Sequence, residues 1–160
     1  MPKIFDFKKL RRLIMIYNVV QIILVALLIY VALYFQAGLG PLFIKSIFIT
    51  FIIQLIAFYP IYLFARREAK REVASVVIGL TPEELKVLRN KRLVGDVVRS
   101  GIFCFFLIFI YSAPAHPFAL NLIFFSFILT YLTYFQCFNF VAKREMKMQE
   151  PATPKPSKSN

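Results

Sequence analysis

The sequence predicts an all-α integral membrane protein with four transmembrane helices arranged as two antiparallel hairpins. A short cytoplasmic helical segment is expected between the second and third helices. Three observations lead to this fold class: four long runs with almost no charge, an apolar content of 59%, and 20 Lys and Arg residues against 8 Asp and Glu. A soluble globular chain is about 45–50% apolar, so the composition and its clustering indicate a chain solvated by lipid.

The first hairpin is predicted over residues 13–65, after a basic cytoplasmic arm at 1–12. Its first helix, 13–35, is a run of 23 residues without a charge. About 20 residues cross a bilayer core, and the run is longer than the apolar core of a secretory signal. A short uncharged turn follows, in which Gly38 and Gly40 suit the end of the first helix and Pro41 suits the first turn of the next. The second helix is predicted at 42–65, and Pro60 is expected to introduce a kink or to mark the end of the span.

The basic segment 66–99 lies between the hairpins and is expected in the cytoplasm. The second helix should continue into water as far as Ile78. Thr81 to Glu84 then has the Thr-x-x-Glu pattern of a capping box, with proline at the first helical position. This pattern predicts a short helix from Pro82 to about Leu93, and Gly95–Asp96 is expected to break it or to cap the next helix.

The second hairpin is predicted over residues 100–142, with helices at 97–113 and 118–142. The third helix is short, because it reaches 17 residues only if Arg99 extends its side chain to the headgroups. A full span and a re-entrant segment therefore both stay open, although a full span puts the following helix in the correct direction. Residues 143–160 are predicted to form a disordered cytoplasmic tail.

The distribution of basic residues predicts the orientation. The N-terminal arm, the central segment and the tail hold 5, 9 and 5 basic residues, and the two turns hold none. The positive-inside rule places these three regions, and both termini, in the cytoplasm, and the cytoplasmic membrane of a prokaryote is the expected location. Because the cations flank the spans and leave no basic soluble surface, no nucleic-acid partner is expected. Predicted contacts to anionic lipid headgroups or to a partner are Arg66, Arg67, Lys70, Arg71, Lys86, Arg89, Lys91 and Arg92.

Neutral polar residues recur at helical spacing within the spans. They predict an intramembrane polar face formed by Asn18, Gln21, Ser46, Thr50, Gln54, Ser126, Thr130 and Thr133. Such a face turns inward, because an unpaired amide in hydrocarbon costs several kcal/mol. Two interpretations stay open: hydrogen bonds that hold the helices together, or the lining of a cavity for a small or amphiphilic ligand.

The residue types that carry most enzyme chemistry are scarce. No Asp, Glu, His or Arg is expected deep within a span, and Cys104 and Cys137 lie in apolar runs without metal-ligand spacing. His116 is expected in an external turn. No nucleophile, phosphate loop or metal motif is present, so neither a cofactor nor enzymatic activity is predicted.

The leading functional hypothesis is a small multi-pass membrane protein that acts by association. It would be an accessory or assembly subunit, or a self-associating scaffold, with a homo-oligomer or another membrane protein as its partner. The alternative is an oligomeric transporter or channel for a small neutral or lipophilic solute, and a lipid-modifying or quinone-interacting enzyme is a third option. The pentapeptide at 64–68 resembles that at 141–145, which duplication of a hairpin or convergence on common stop signals would explain.

Overall fold

The computed structural model describes residues 6–113 and 116–149, which form four α-helices and no β-strand. The helices are α1 (Lys8–Leu39), α2 (Pro41–Ser75), α3 (Pro82–Ser112) and α4 (Pro117–Gln149). All four are long and apolar enough to cross a membrane. The predicted all-helical class with four long apolar helices is therefore confirmed.

The connection between α1 and α2 is tighter than the predicted six-residue turn. Gly40 alone separates the two helices, and its φ of 52° and ψ of −127° lie where only glycine is readily accommodated. Pro41 occupies the first turn of α2, as predicted. Pro60 lies inside α2 and does not end it, and the helix continues to Ser75, which confirms that it extends beyond the second apolar run.

The start of α3 agrees with the capping-box prediction. The Thr81 hydroxyl accepts a hydrogen bond from the backbone N–H of Glu84 at 3.3 Å, and the Glu84 carboxylate accepts one from the backbone N–H of Thr81 at 2.9 Å. The predicted break at Gly95–Asp96, however, is wrong. The helix is continuous from Pro82 to Ser112, so the expected short helix and the third span form a single element. Glycine inside a helix costs only about 1 kcal/mol, which a favourable tertiary contact can offset.

The C-terminal helix also extends further than expected. Since α4 ends at Gln149, residues 143–149 are helical, and the prediction of a disordered tail is wrong for this stretch. Residues 150–160, which contain the rest of the predicted tail, lie outside the described residues, as do 1–5 of the N-terminal arm.

α4 lies at the centre of the packing. It is parallel to α2, since Asn121 bonds to Ser46 and Glu145 pairs with Lys70, both at a sequence separation of 75. It is antiparallel to α1: the Asn139 amide bonds to Asn18, whereas ring contacts at the other end join Phe35 to Phe124, 6.4 Å apart. The end where α1 and α3 begin and α2 and α4 end is called the basic end below.

Two hydrophobic cores stabilise α1, α2 and α4. The core at the basic end has Phe138 and Ala69 at its centre, and the core at the opposite end is built around Ile128 and Phe35. Neither core contains a residue of α3, and the only residue of α3 that is buried is Gly95. α3 is therefore a peripheral helix, held mainly by contacts near its middle.

Candidate functional site

The predicted polar face divides into separate hydrogen-bonded contacts between helices. Ser46 and Thr50 are fully buried, and Ser46 accepts a hydrogen bond from the side-chain amide of Asn121 in α4. The Gln54 amide donates to the Thr133 hydroxyl at 2.8 Å and to the Leu129 carbonyl at 3.3 Å. These contacts are those expected of polar side chains that hold helices together.

The remaining members of the polar face differ in environment. Asn18 accepts a hydrogen bond from Asn139 at 2.8 Å. The Gln21 amide nitrogen and the Ser126 hydroxyl are buried and have no hydrogen-bond partner among the described residues. Thr130 lines a cavity whose walls include neither Gln21 nor Gln54, so this cavity does not join the three positions into one polar path.

Seven of the eight predicted basic contacts have exposed side chains. These are Arg66, Arg67, Lys70, Lys86, Arg89, Lys91 and Arg92. Lys70 and Arg92 also form ion pairs, with Glu145 and Glu72 respectively, each at 3.7 Å. Arg71 differs from the other seven, because only 10% of its side chain is exposed and it turns inward toward Glu68. It is a structural residue rather than a surface contact.

A buried charge cluster at the basic end is the most distinctive feature of the molecule. Glu68 of α2 is at its centre, with only 5% of the side chain exposed. The carboxylate lies 2.6 Å from Nη1 of Arg71 and 3.2 Å from Nη2 of Arg99, which comes from α3. Asp96 pairs with the same nitrogen of Arg99. Glu72 extends the cluster, 3.6 Å from Nη2 of Arg71 and 3.7 Å from Nε of Arg92. Three carboxylates and three guanidinium groups therefore balance in charge and join α2 to α3.

Arg99 is held on several sides. In addition to the two carboxylates, its guanidinium donates to the Tyr17 hydroxyl of α1 at 3.0 Å and to the Gly95 carbonyl at 3.4 Å. Its own carbonyl accepts a hydrogen bond from Tyr131 of α4 at 3.2 Å. The expectation that Arg99 extends toward headgroups is therefore wrong, because its side chain contacts α1 and α2 within the protein.

Gly95 allows the two helices to approach at the cluster. A Cβ atom at this position would lie 2.8 Å from Cδ of Glu68 and 2.9 Å from Nη1 of Arg71, with a carboxylate oxygen nearer still. Ordinary carbon contacts are about 3.5–4.0 Å, so any side chain would displace the ion pair. The residue that was expected to break the helix instead makes room for a contact between helices.

Burial and the neighbouring charges act on Glu68 in opposite directions. Desolvation raises the pKa of its carboxyl, and the guanidinium groups of Arg71 and Arg99 oppose the increase without cancelling it. Removing one arginine would therefore raise this pKa further. An isolated buried charge costs several kcal/mol, so the members of the cluster depend on one another.

A cavity of about 220 Å³ adjoins the cluster, between α2, α3 and α4. Arg99 and Thr130 contribute to its walls, together with apolar and aromatic side chains such as Phe64 and Tyr134. Among residues 6–113 and 116–149 no group of three His, Cys, Asp or Glu is placed to hold a metal ion. The arrangement can pair charges and accept an apolar group, and the predictions of no cofactor and no enzymatic activity stay predictions.

The polar-face prediction included Asn18 and Ser46 but omitted Asn139 and Asn121, which are their respective hydrogen-bond partners in α4. The charge cluster was missed altogether, because Glu68 and Arg71 look like an ordinary pair at i, i+3 on a solvated helix. The sequence signal that could have indicated the cluster is a glycine four residues before an arginine, Gly95 and Arg99, on one face of a helix. Comparison of the chain with protein-family models, with curated proteins and with solved structures finds no match.

Proposed function

We propose that this chain is a multi-pass membrane protein whose helices cross the bilayer as two antiparallel hairpins, with the basic end in the cytoplasm. The positive-inside rule supports this orientation, as does the parallel alignment of α2 and α4. A single cysteine replacing Leu88, with both natural cysteines changed to serine, should resist impermeant thiol reagents in intact cells. Cysteine at Gly38, where a side chain would meet nothing within 4 Å, should react in the same background. Labelling of the Leu88 variant from outside would refute this topology.

We further propose that the protein acts by association, as an accessory subunit that binds a partner through α3. The supporting observation is that α3 is left almost entirely uncovered. Its exposed apolar residues continue beyond the Gly95 contact toward the basic end, where Val94 and Val87 have 65% and 51% exposure. In the proposed orientation this part of the helix projects past the hydrocarbon, so lipid chains do not cover it, and a partner helix would.

The charges on this part of α3 favour a partner different from the chain itself. Between residues 82 and 99 it carries five basic and three acidic residues. Two copies placed side by side in the same orientation would bring Lys86, Arg89 and Arg92 near their equivalents, and like charges at an interface cost several kcal/mol. A partner with an acidic amphipathic helix would complement both the apolar stripe and its basic border.

Site-specific photo-crosslinking tests this proposal. A photoreactive residue at Val94 should yield one adduct of defined mass in cells, and charge reversal of Lys91 and Arg92 should reduce its yield. The control is the same residue at Met148, an exposed apolar position at the basic end of α4, which should not yield that adduct. An adduct of twice the chain's own mass would indicate self-assembly instead, and no protein adduct at Val94 would refute association through this helix.

The cavity beside Arg99 favours a second candidate function, an oligomeric transporter for a small lipophilic solute. Its apolar walls suit such a solute, and four helices enclose too little volume for a conducting path within one copy. Flux across liposomes containing the purified protein would support this function. Flux equal to that of protein-free liposomes would exclude it for the solutes assayed.

A further inference from the structure

The cavity between α2, α3 and α4 has the size and walls of a site for an apolar group. Its volume of about 220 Å³ exceeds the roughly 150 Å³ of an engineered apolar cavity that stays dry and binds benzene. Phe64, Ile102 and Tyr134 contribute to its walls. A space of this kind takes up hydrocarbon in preference to water.

The cavity lies at the surface of the bundle, at the edge of the core at the basic end. Three of the residues around it, Pro60, Val98 and Ile102, are exposed, and each belongs to α2 or α3. In the membrane placement proposed above, on which this inference rests, that surface meets the acyl chains of the cytoplasmic leaflet. Lipid chains are therefore the most concentrated apolar groups available to it.

Tyr134 contributes to the cavity through its ring. The side chain lines the cavity and is 5% exposed, but its hydroxyl is buried and is not accessible from the cavity. The walls that the described residues form therefore present an aromatic ring and no accessible polar atom, which suits hydrocarbon.

Charge on the basic side of the cavity favours an anionic headgroup. Arg67 follows Phe64 by three residues, so it lies on the same face of α2 one turn nearer the basic end, and its side chain is exposed. Arg99 is already engaged by Glu68 and Asp96, which leaves Arg67 as the better placed cation. A basic residue near an anionic lipid surface contributes about 1 kcal/mol.

We propose that this cavity binds one acyl chain of an anionic phospholipid from the cytoplasmic leaflet. The acyl chain lies against the apolar and aromatic walls, and the phosphate group lies against Arg67. Lipid held in this way fills the gap between α3 and the other helices and stabilises the position of α3.

The absence of tryptophan from the chain permits a direct test by fluorescence quenching. Phe64→Trp places a reporter in the cavity wall, and Ile22→Trp places one on the outer face of α1, where Ile22 is 70% exposed. Each variant is reconstituted in phosphatidylcholine vesicles with a fixed fraction of lipid carrying brominated chains, either phosphatidylglycerol or phosphatidylcholine. Quenching of Phe64→Trp should show an apparent affinity about fivefold higher for phosphatidylglycerol than for phosphatidylcholine. Quenching of Ile22→Trp should show no preference between the two lipids.

Neighbouring arginines provide the matched comparison. Arg67→Gln in the Phe64→Trp background should abolish the preference, whereas Arg66→Gln, which lies about 100° away around the helix, should retain it. If circular dichroism shows that Phe64→Trp does not fold, Ile102→Trp replaces it as the reporter in the cavity wall. Equal quenching by both lipids at the cavity would overturn the proposal, and so would a preference that survives Arg67→Gln. Failure of the membrane placement is distinguishable, because the cysteine at Leu88 would then be labelled from outside intact cells, whatever the quenching result.

Discussion

Replacing Gly95 with alanine should separate α3 from α2 at the charge cluster. The added Cβ would lie 2.8 Å from Cδ of Glu68, so the carboxylate must retreat by roughly 1 Å to reach an ordinary contact distance. That movement breaks the 2.6 Å pairing with Arg71. Overpacking of this kind costs about 1–3 kcal/mol, whereas alanine in place of glycine returns about 1 kcal/mol of helix propensity. We expect a net loss of up to about 2 kcal/mol.

The same helix supplies the control for this substitution. Gly101 is also inside α3, and a Cβ there would meet no atom within 4 Å. Gly101→Ala should therefore leave stability unchanged or raise it by up to about 1 kcal/mol. Thermal unfolding in mild detergent, followed by circular dichroism, compares the two variants. Both variants gain the same helix propensity, so their stabilities should differ by the overpacking cost of about 1–3 kcal/mol. A chain of this size shifts by about 2–4 °C per kcal/mol, so the midpoints should differ by roughly 2–12 °C.

A double-mutant cycle identifies the cause of the loss. In a Glu68→Ala background the crowded carboxylate is absent, so Gly95→Ala should cost at least about 1 kcal/mol less than it does in the natural chain. The close approach of the two helices would be refuted if Gly95→Ala matched Gly101→Ala in stability. It would also be refuted if the cost of Gly95→Ala were the same with and without the Glu68 side chain.

Two further predictions concern hydrogen bonding and pH. Gln54→Leu removes two hydrogen bonds to α4 and should lower the unfolding midpoint by about 2–4 °C. Gln36→Leu, at an exposed position, should leave the midpoint unchanged. Equal midpoints for the two variants would exclude a stabilising role for Gln54. Because burial raises the pKa of the Glu68 carboxyl on folding, the stability it contributes is complete below the unfolded value of about 4.3 and is lost as pH rises through the folded value. Midpoints measured from pH 4 to 8 should therefore fall more steeply in Arg99→Gln than in the natural chain, and Glu68→Gln should flatten this dependence. A steeper fall in Glu68→Gln would contradict the assignment to this carboxyl.

The helices could be predicted from the sequence because each one depends on local signals. Uncharged runs of sufficient length indicate the apolar segments, Gly40 and Pro41 indicate the first connection, and Thr81 with Glu84 indicates the start of α3. Such signals act within a few residues along the chain. They were misleading at Gly95, where a tertiary contact with Glu68 decides the conformation.

The polar contacts could be predicted only in part, for a related reason. Helical spacing places Ser46, Thr50 and Gln54 on one face of α2, but it does not say which residues of another helix they meet. That requires the relative alignment of α2 and α4, which the contacts at a separation of 75 residues reveal. A spacing argument likewise classes Glu68 and Arg71 as a local pair, since the third member, Arg99, is distant in sequence.

Contacts between α2 and α4 join residues 75 apart in the sequence, so the two hairpins can be aligned and α3 can be compared with α1. The similar pentapeptides at 64–68 and 141–145 lie at the same end of the bundle, as two equivalent hairpins would place them. Equivalent packing would then set α3 along α2 as closely as α1 lies along α4, yet α3 contributes to neither hydrophobic core. Separate side-chain contacts hold α3 instead: ion pairs at Arg92 and Arg99, and a ring contact of Phe106 with Phe127. The cavity beside Arg99 and the uncovered face of α3 therefore have a common cause, because a peripheral helix that is held at a few side chains is not covered along its length by a hydrophobic core.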